Sequence, residues 1–442
     1  MSIAHVSPHR RAEVLDALRR GTVPSGSLEL FAVGLDRFTG SITEDLDAVR
    51  AGRGMLKAVR GEYGAGKTFF ARWLQDRALR QGFATAEVQV SEGETPLHRL
   101  ETVYRRLVER LATADCRQGA LRSVIDGWFY ALEEEVLAAG EVDPEDAATL
   151  LERTTERMER RLAAVTRQAP TFALCLRAYR RAVAMGDAVT AEALLAWLGG
   201  QPNVSAAARR SAGIRGEIDH YGALGFLQGL LVVLRDSGHP GLVVVLDEVE
   251  TLQRMRGDVR ERALNALRQW MDELDAGRFP GLYLLVTGTP AFFDGPQGVQ
   301  RLAPLAQRLH TDFATDARFD NPRAVQIRLA SFDLARLEEV GRRVRDLYAA
   351  HSVVGDRIRR LADDGYVATL ARAVTGGLGG KVGVAPRVFL KKLVADVLDR
   401  IDQFPDFDPR RDYALTIGEA ELTQAERATR PAFGVDDVEL EP

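Results

Sequence analysis

Gly61-Glu62-Tyr63-Gly64-Ala65-Gly66-Lys67-Thr68 fits G-x-x-x-x-G-K-[ST] at every fixed position. Residues of these types at this spacing bind a phosphate chain. The glycines let backbone N–H groups close around an anion. A helix opening at Lys67 turns its positive end toward the same charge. Lys67 is placed to reach the β- and γ-phosphates, and the Thr68 hydroxyl to complete a Mg²⁺ shell. An apolar strand, Leu56 to Val59, precedes the motif, and Phe69, Phe70, Trp73 and Leu74 follow it at helical spacing. That context sets the motif apart from a chance glycine turn.

A second acidic element completes such a site. Leu242 to Leu246 is an unbroken apolar run, as a strand buried on both faces should be, and Asp247-Glu248 stand at its end. Asp247 suits a Mg²⁺ held through water, and Glu248 a general base that polarises the attacking water. An acidic pair at a strand end says little alone. It gains weight from the phosphate loop in the same chain.

The elements that must hold these groups follow from pattern. Strands are expected at 56–59, 84–90, 242–246, 282–286 and 325–329, alternating with helices. Together they make an α/β, mostly parallel, doubly wound five-stranded sheet. Ser7 and Pro8 open a first helix that Gly21 stops, and a second helix is expected over 42–50 with its cap near Ser41. The 146 residues from Thr95 to Pro240 are too many for a loop and read as a helical insertion, broken at Ala139-Gly140, at 199–202 and at 238–240. Helices resume after Ser331 and end with one over 386–401. The divisions are thus 1–50, an α/β core over 51–330 containing the insertion at 95–240, a helical lid over 331–403, and a polar, partly disordered tail over 404–442 ending VDDVELEP.

Composition narrows the class. The chain has 442 residues, 46% of them hydrophobic, and a net charge of −4, so it is not a globally basic nucleic-acid binder. No apolar run reaches membrane-spanning length, the N-terminus carries no signal-peptide core, and Cys116 and Cys175 read as buried thiols; a cytoplasmic protein without membrane contact is expected. The insertion is unevenly charged. Residues 133–159 hold ten acids and two arginines, whereas 160–215 hold nine arginines and two acids. Solvated helix faces account for such runs; the alternative is that the arginine half, Arg209 and Arg210 included, touches DNA phosphates. Over residues 95–240 the near balance of 18 arginines and 19 acids favours a surface that binds protein.

The order of phosphate loop, Asp-Glu strand and strand-end threonine resembles the AAA+ ATPases, and within them the origin-recognition initiator and helicase-loader clade. The TGTP turn and the PLAQRL segment are also similar to the AAA+ regulators of transposition. More closely, VRGEYGAGKTFFARWL, EVQVSEGETPLHRLETVYRRL, VVLDEVETLQR, GLYLLVTGTPAFFDGPQGVQRLAPLAQRL and RFDNPRAVQIRL resemble the ATP-binding protein D family of bacteriophage-exclusion (BREX) systems, over about Arg10 to Arg400. The resemblance implies ATP and Mg²⁺ as ligands, a phage-defence role beside a helicase, a homo-oligomer, and action on DNA. It implies adenine contacts near Val33, Gly34 and Leu35. It makes Thr289 the γ-phosphate sensor, with Thr287 as the alternative. It makes Arg308 the arginine given to a neighbour's site, with Arg301 and Arg318 as rivals. Arg387, at the start of the helix opened by Gly383-Val384-Ala385-Pro386, becomes the arginine that couples the lid to nucleotide. Origin-type proteins end in a winged-helix domain; the 38 residues after Phe404 are too few for one, so DNA contact is expected to fall to the α/β core and its insertion.

Overall fold

Every residue of Leu242–Asp247 is buried, because this strand, β3, has a neighbour on each side and helices on both faces. The computed structural model describes residues 7–140, 142–377, 386–418 and Leu422. With β1 (Met55–Arg60), β2 (Ala84–Gln89), β4 (Leu282–Gly288) and β5 (Gln326–Arg328) it forms one parallel sheet in the order β2-β3-β4-β1-β5. The expected strands all appear, with ends displaced by one or two residues. Beginnings sit closer than side chains allow: a Cβ on Gly241 would stand 2.3 Å from the Gly281 carbonyl oxygen.

Alternation along the strands divides the apolar residues between two cores. Val244, Leu246, Leu284 and Val286 face one; Val243, Val245, Tyr283 and Leu285 face the other. The second core is closed by α1 (Pro8–Arg19), α2 (Asp36–Arg50), α3 (Lys67–Arg80) and α15 (Leu334–Ala349), with the helix that follows Pro386. Ser7 caps α1 by accepting from Arg10 N–H. The onset of α2 departs from expectation: it begins at Asp36, and Ser41 lies buried inside it, donating to the Phe38 carbonyl at 3.0 Å. Phe38, Ile42, Leu46 and Val49 form a continuous buried stripe across the residue expected to cap it.

The first core is dominated by the helices between β2 and β3. These are α4 (Leu100–Glu109), α5 (Leu121–Ala138), α6 (Ala147–Arg161), α7 (Ala163–Gln168), α8 (Pro170–Ala184), α9 (Ala188–Leu198), α10 (Ala206–Ser211) and α11 (His220–Asp236). Breaks fall at the expected glycines, and further ones at Leu162, Ala169 and 185–187. The two charge blocks meet at three arginines: Arg161 pairs with Glu135, Arg177 with Glu159, and Arg180 with Glu133. Tyr179 and Trp197 are buried; Tyr221 is exposed. Cys175 is buried, its thiol pushed up by burial, whereas Cys116 is only half-buried and lies in the loop before α5.

After β3 come α12 (Gly257–Asp275), α13 (Pro290–Asp294) and α14 (Ala303–Leu309); after β5 and α15, α16 (Gly355–Leu361) and α17 (Asp364–Gly377). The last long helix runs as α18 (Pro386–Lys391), a π-helical stretch over Lys392–Leu398, and α19 (Asp399–Gln403). Gly383, Val384 and Ala385 lie outside the described residues. The segment after Phe404 departs from a disordered tail as far as Ile417. Arg410 donates to the Leu361 carbonyl at 2.7 Å, and Phe407, Tyr413, Leu415 and Ile417 pack on the second core. Beyond Gly418 only Leu422 is described, so the acidic end of the tail lies outside.

A charge sits at the centre of the second core. Lys57 in β1 is 2% exposed; its ammonium meets Asp45 at 2.8 Å and the Pro322 carbonyl at 3.1 Å. The Tyr283 hydroxyl donates to the same Asp45 at 3.1 Å, and burial raises that phenol well above its ordinary range. Asp45→Ala strands a buried ammonium and is expected to cost about 3–5 kcal/mol in urea unfolding. The double variant Lys57→Met, Asp45→Leu should recover most of that loss.

Candidate functional site

The phosphate loop leaves β1 and turns at Gly64 and Gly66, whose φ angles of 80° and 88° favour glycine. The first helical bond of α3 is Phe70 N–H to the Gly66 carbonyl at 2.8 Å. The amides of Lys67, Thr68 and Phe69 are therefore left for an anion at the helix start. Lys67 is folded back: its ammonium donates to the Gly61 carbonyl at 3.0 Å and stands 3.5 Å from Glu250 and 5.2 Å from the Tyr63 ring centroid.

The parallel register brings the acids to this loop. Thr68 Oγ1 donates to Asp247 Oδ2 at 3.0 Å across 179 positions of chain. Asp247 Oδ1 accepts from the Glu248 N–H at 3.1 Å and from the Thr287 hydroxyl. Glu248 adopts φ 60°, ψ 41°, a left-handed conformation rare for a residue with a Cβ. Such strain costs on the order of 1–3 kcal/mol and persists where surroundings over-determine it. Here its N–H is held by Asp247 and, at 3.3 Å, by Thr287, while Gln89 at the end of β2 donates to its carboxylate at 2.8 Å.

Thr287, the alternative, is thus the threonine beside the acids. The register pairs Leu246 with Val286, which sets Asp247 level with Thr287. Thr289 lies past the end of β4, where it opens α13; it is buried, and its side chain makes no capping bond. Arg308 is exposed on α14 and pairs with Asp272 of α12, and Arg318 pairs with Asp316 at 3.5 Å. Neither arginine, nor Arg301, lines the cavity described next. Arg387 does.

A cavity of about 570 Å³ opens from the loop. Val33, Gly34 and Leu35 line it with Phe31; Gly61 and Glu62 are not among its lining residues, whereas Tyr63 through Phe69 are. Phe69 packs edge-on against Phe31, with ring centroids 5.3 Å apart. One end is apolar and fits a flat base; the other carries Lys67, Thr68 and Glu248 and fits a polyphosphate. Thr68 and Asp247 offer adjacent hard oxygen donors, the set Mg²⁺ takes.

The sequence profile of the family described as BREX system ATP-binding protein BrxC/D matches residues 6–417. The chain belongs to that family. No curated protein and no solved structure matches it. For a BREX ATP-binding protein the cavity offers both chemistries, and two groups that motif reading passed over stand against Glu248 and Lys67. Gln89 was signalled only by being the last residue of a strand beside β3. Glu250, three residues after Asp247, is 6% exposed; one of its carboxylate oxygens has no hydrogen-bond partner, and burial raises its pKa against the pull of Lys67. Among the described residues no helix is long and apolar enough to cross a membrane.

The two threonines can be told apart. Thr287→Val removes a donor to Asp247 and is expected to lower ATP turnover about 10–100-fold, as loss of a group that orients a ligating carboxylate does. Thr289→Val should change turnover by less than about twofold on the same grounds, since it touches neither acid. Steady-state phosphate release measures both.

Proposed function

We propose that this chain is an AAA+ ATPase that uses ATP binding and hydrolysis as a switch in bacterial phage defence, assembling as a homo-oligomer on DNA and loading or regulating a partner helicase. The observation that carries the ATPase part is the 3.0 Å bond from Thr68 to Asp247, with Lys67 and Glu248 beside it. Three segments distant in sequence meet at the phosphate end of one cavity.

In this reading the amides of the loop and of the α3 start hold the β- and γ-phosphates, and Lys67 leaves the Gly61 carbonyl to meet them. Thr68 and Asp247 hold Mg²⁺, which supplies charge neutralisation at the phosphates. Glu248 accepts the proton of the attacking water once Gln89 releases its carboxylate. Thr287 keeps Asp247 oriented. Arg387 faces the cavity from the start of α18 and ties the C-terminal helices to the occupied state. Arg308 acts in trans: it stands exposed, and a neighbour's phosphate must draw it from Asp272.

A second reading has its own support. In the arginine-rich half of the α4–α11 layer, Arg161, Arg177 and Arg180 pair with acids of the same layer, and two of its three notable aromatics are buried. That favours a layer that binds a protein partner in a signalling or scaffold NTPase that does not touch DNA. Salt separates the two, since phosphate-contacting binding weakens steeply as ionic strength rises. A gel-shift series at two salt concentrations with Arg209→Ala, Arg210→Ala decides between them: salt-insensitive or absent binding favours the protein partner.

Lys67→Ala should abolish ATP retention. Glu248→Gln should retain ATP but hydrolyse it about 10²–10⁴-fold more slowly, the usual worth of a general base. Its mass in solution with ATP should shift to an oligomer. Equal retention of labelled ATP by the Lys67 variant and the wild type refutes the site.

A further inference from the structure

Asp247 and Glu248 each have a role in hydrolysis; Glu250, close beside them, has none. β3 ends at Asp247, and a 3₁₀ turn, Val249–Arg254, continues the chain. Val249 and Leu252 are buried in the first core. The Thr251 hydroxyl lies 2.9 Å from the Glu248 carbonyl oxygen and 3.2 Å from that of Val90, within reach of either. Glu250 stands between these anchors, so the turn fixes where its carboxylate goes. It is 6% exposed and lines the same cavity as Lys67.

One carboxylate oxygen of Glu250 stands 3.5 Å from the Lys67 ammonium, and the other is buried without a hydrogen-bond partner. The ammonium has three N–H donors. Its neighbours are the Gly61 carbonyl at 3.0 Å, the Glu62 carbonyl at 3.4 Å, the Tyr63 ring centroid at 5.2 Å and Glu250. The carbonyls and the ring belong to the phosphate loop itself. Glu250 is brought by another element, and it carries the counter-charge. Lys67 cannot keep this set of partners and also reach a phosphate chain. A buried carboxylate here opposes anion binding twice: it holds the cation that the anion needs, and its own charge repels the anion.

We propose, on the reading that Lys67 meets the β- and γ-phosphates, that Glu250 is a positioning residue that competes with the triphosphate for Lys67 and so sets the affinity of the site for nucleotide. A ligand that needs Lys67 sees only the fraction of molecules in which the ammonium is free, and its apparent affinity falls by that fraction. Neutralising Glu250 leaves the loop contacts of Lys67 in place and removes the charge that holds it.

Equilibrium dialysis of labelled ATP against the full-length protein tests this, with EDTA present so that no metal bridges the phosphates. Glu250→Gln should lower the Kd about tenfold. Glu250→Ala removes the same charge with a different shape and should lower it as well. Glu250→Asp keeps the charge and should stay near the wild-type Kd. Single-turnover cleavage of bound ATP, with Mg²⁺ restored, should run at the wild-type rate in Glu250→Gln. A Kd for the neutral variants equal to or above that of the wild type overturns the proposal. An equal gain in Glu250→Asp also overturns it, since charge is then not what matters. So does slowed cleavage at unchanged Kd, which places Glu250 in the chemistry, and so does a lowered unfolding midpoint with weaker binding, which makes it a structural residue. Failure of the site as a whole looks different: Lys67→Ala then retains labelled ATP as well as the wild type does.

Discussion

Asp247 is the point at which three separately built pieces of the chain are tied together. It accepts from Thr68 at the start of α3, from Thr287 at the end of β4, and from the amide of the residue that follows it. A buried carboxylate, 4% exposed, is tolerable only where its lone pairs are satisfied, and here donors from three segments do so. The arrangement depends on strand register. A slip of β4 by one residue would turn Thr287 to the opposite face and leave Asp247 with a buried, unmet oxygen. The close approach of Gly241 to Gly281 at the other end of the same strands guards against that slip.

The two cores share the sheet but load it differently. The second core takes α1 and the C-terminal helices, so that Leu422 and Val14 lie in one apolar cluster with the strands. The first takes the eight helices between β2 and β3, some of which are tied to one another by ion pairs. Arg161 alone reaches Glu135 of α5 and Asp236 of α11. Such pairs contribute little stability when exposed, but they remove positive potential from the helix faces that carry them. Folding thus offsets part of the uneven charge along the primary sequence, at Arg161, Arg177 and Arg180.

Strands and phosphate loop were legible because each rests on a local pattern: apolar runs of five, glycines at fixed offsets, a lysine and a hydroxyl in order. What depended on neighbours in space was not. Thr287 and Thr289 look alike in a strand-end turn; only the pairing of Leu246 with Val286 puts one of them at the acid. Gln89 and Glu250 have no motif of their own and matter only because β2 and the turn after β3 end beside Lys67 and Glu248. The onset of α2 was misjudged because serine is a good cap in isolation, whereas Phe38 gains more by joining the buried stripe. Cys116 looked helical by composition and fell in a loop that Ala112 anchors to the sheet edge.

In the arrangement seen here, each charged group of the phosphate end is held by the protein itself. Lys67 rests on the Gly61 carbonyl near Glu250, and Glu248 is held by Gln89. For Lys67, a carbonyl and one carboxylate are a weaker counter-charge than a triphosphate. Glu250 bears the largest consequence, because it is buried, lacks a partner on one oxygen and loses its nearest cation when Lys67 turns away. Burial already favours its protonated form. Removal of Lys67, which pulls the other way, favours that form further. A ligand that draws Lys67 away must therefore offset the ion pair with Glu250, and it shifts the site only by as much as it binds the new arrangement better than the old.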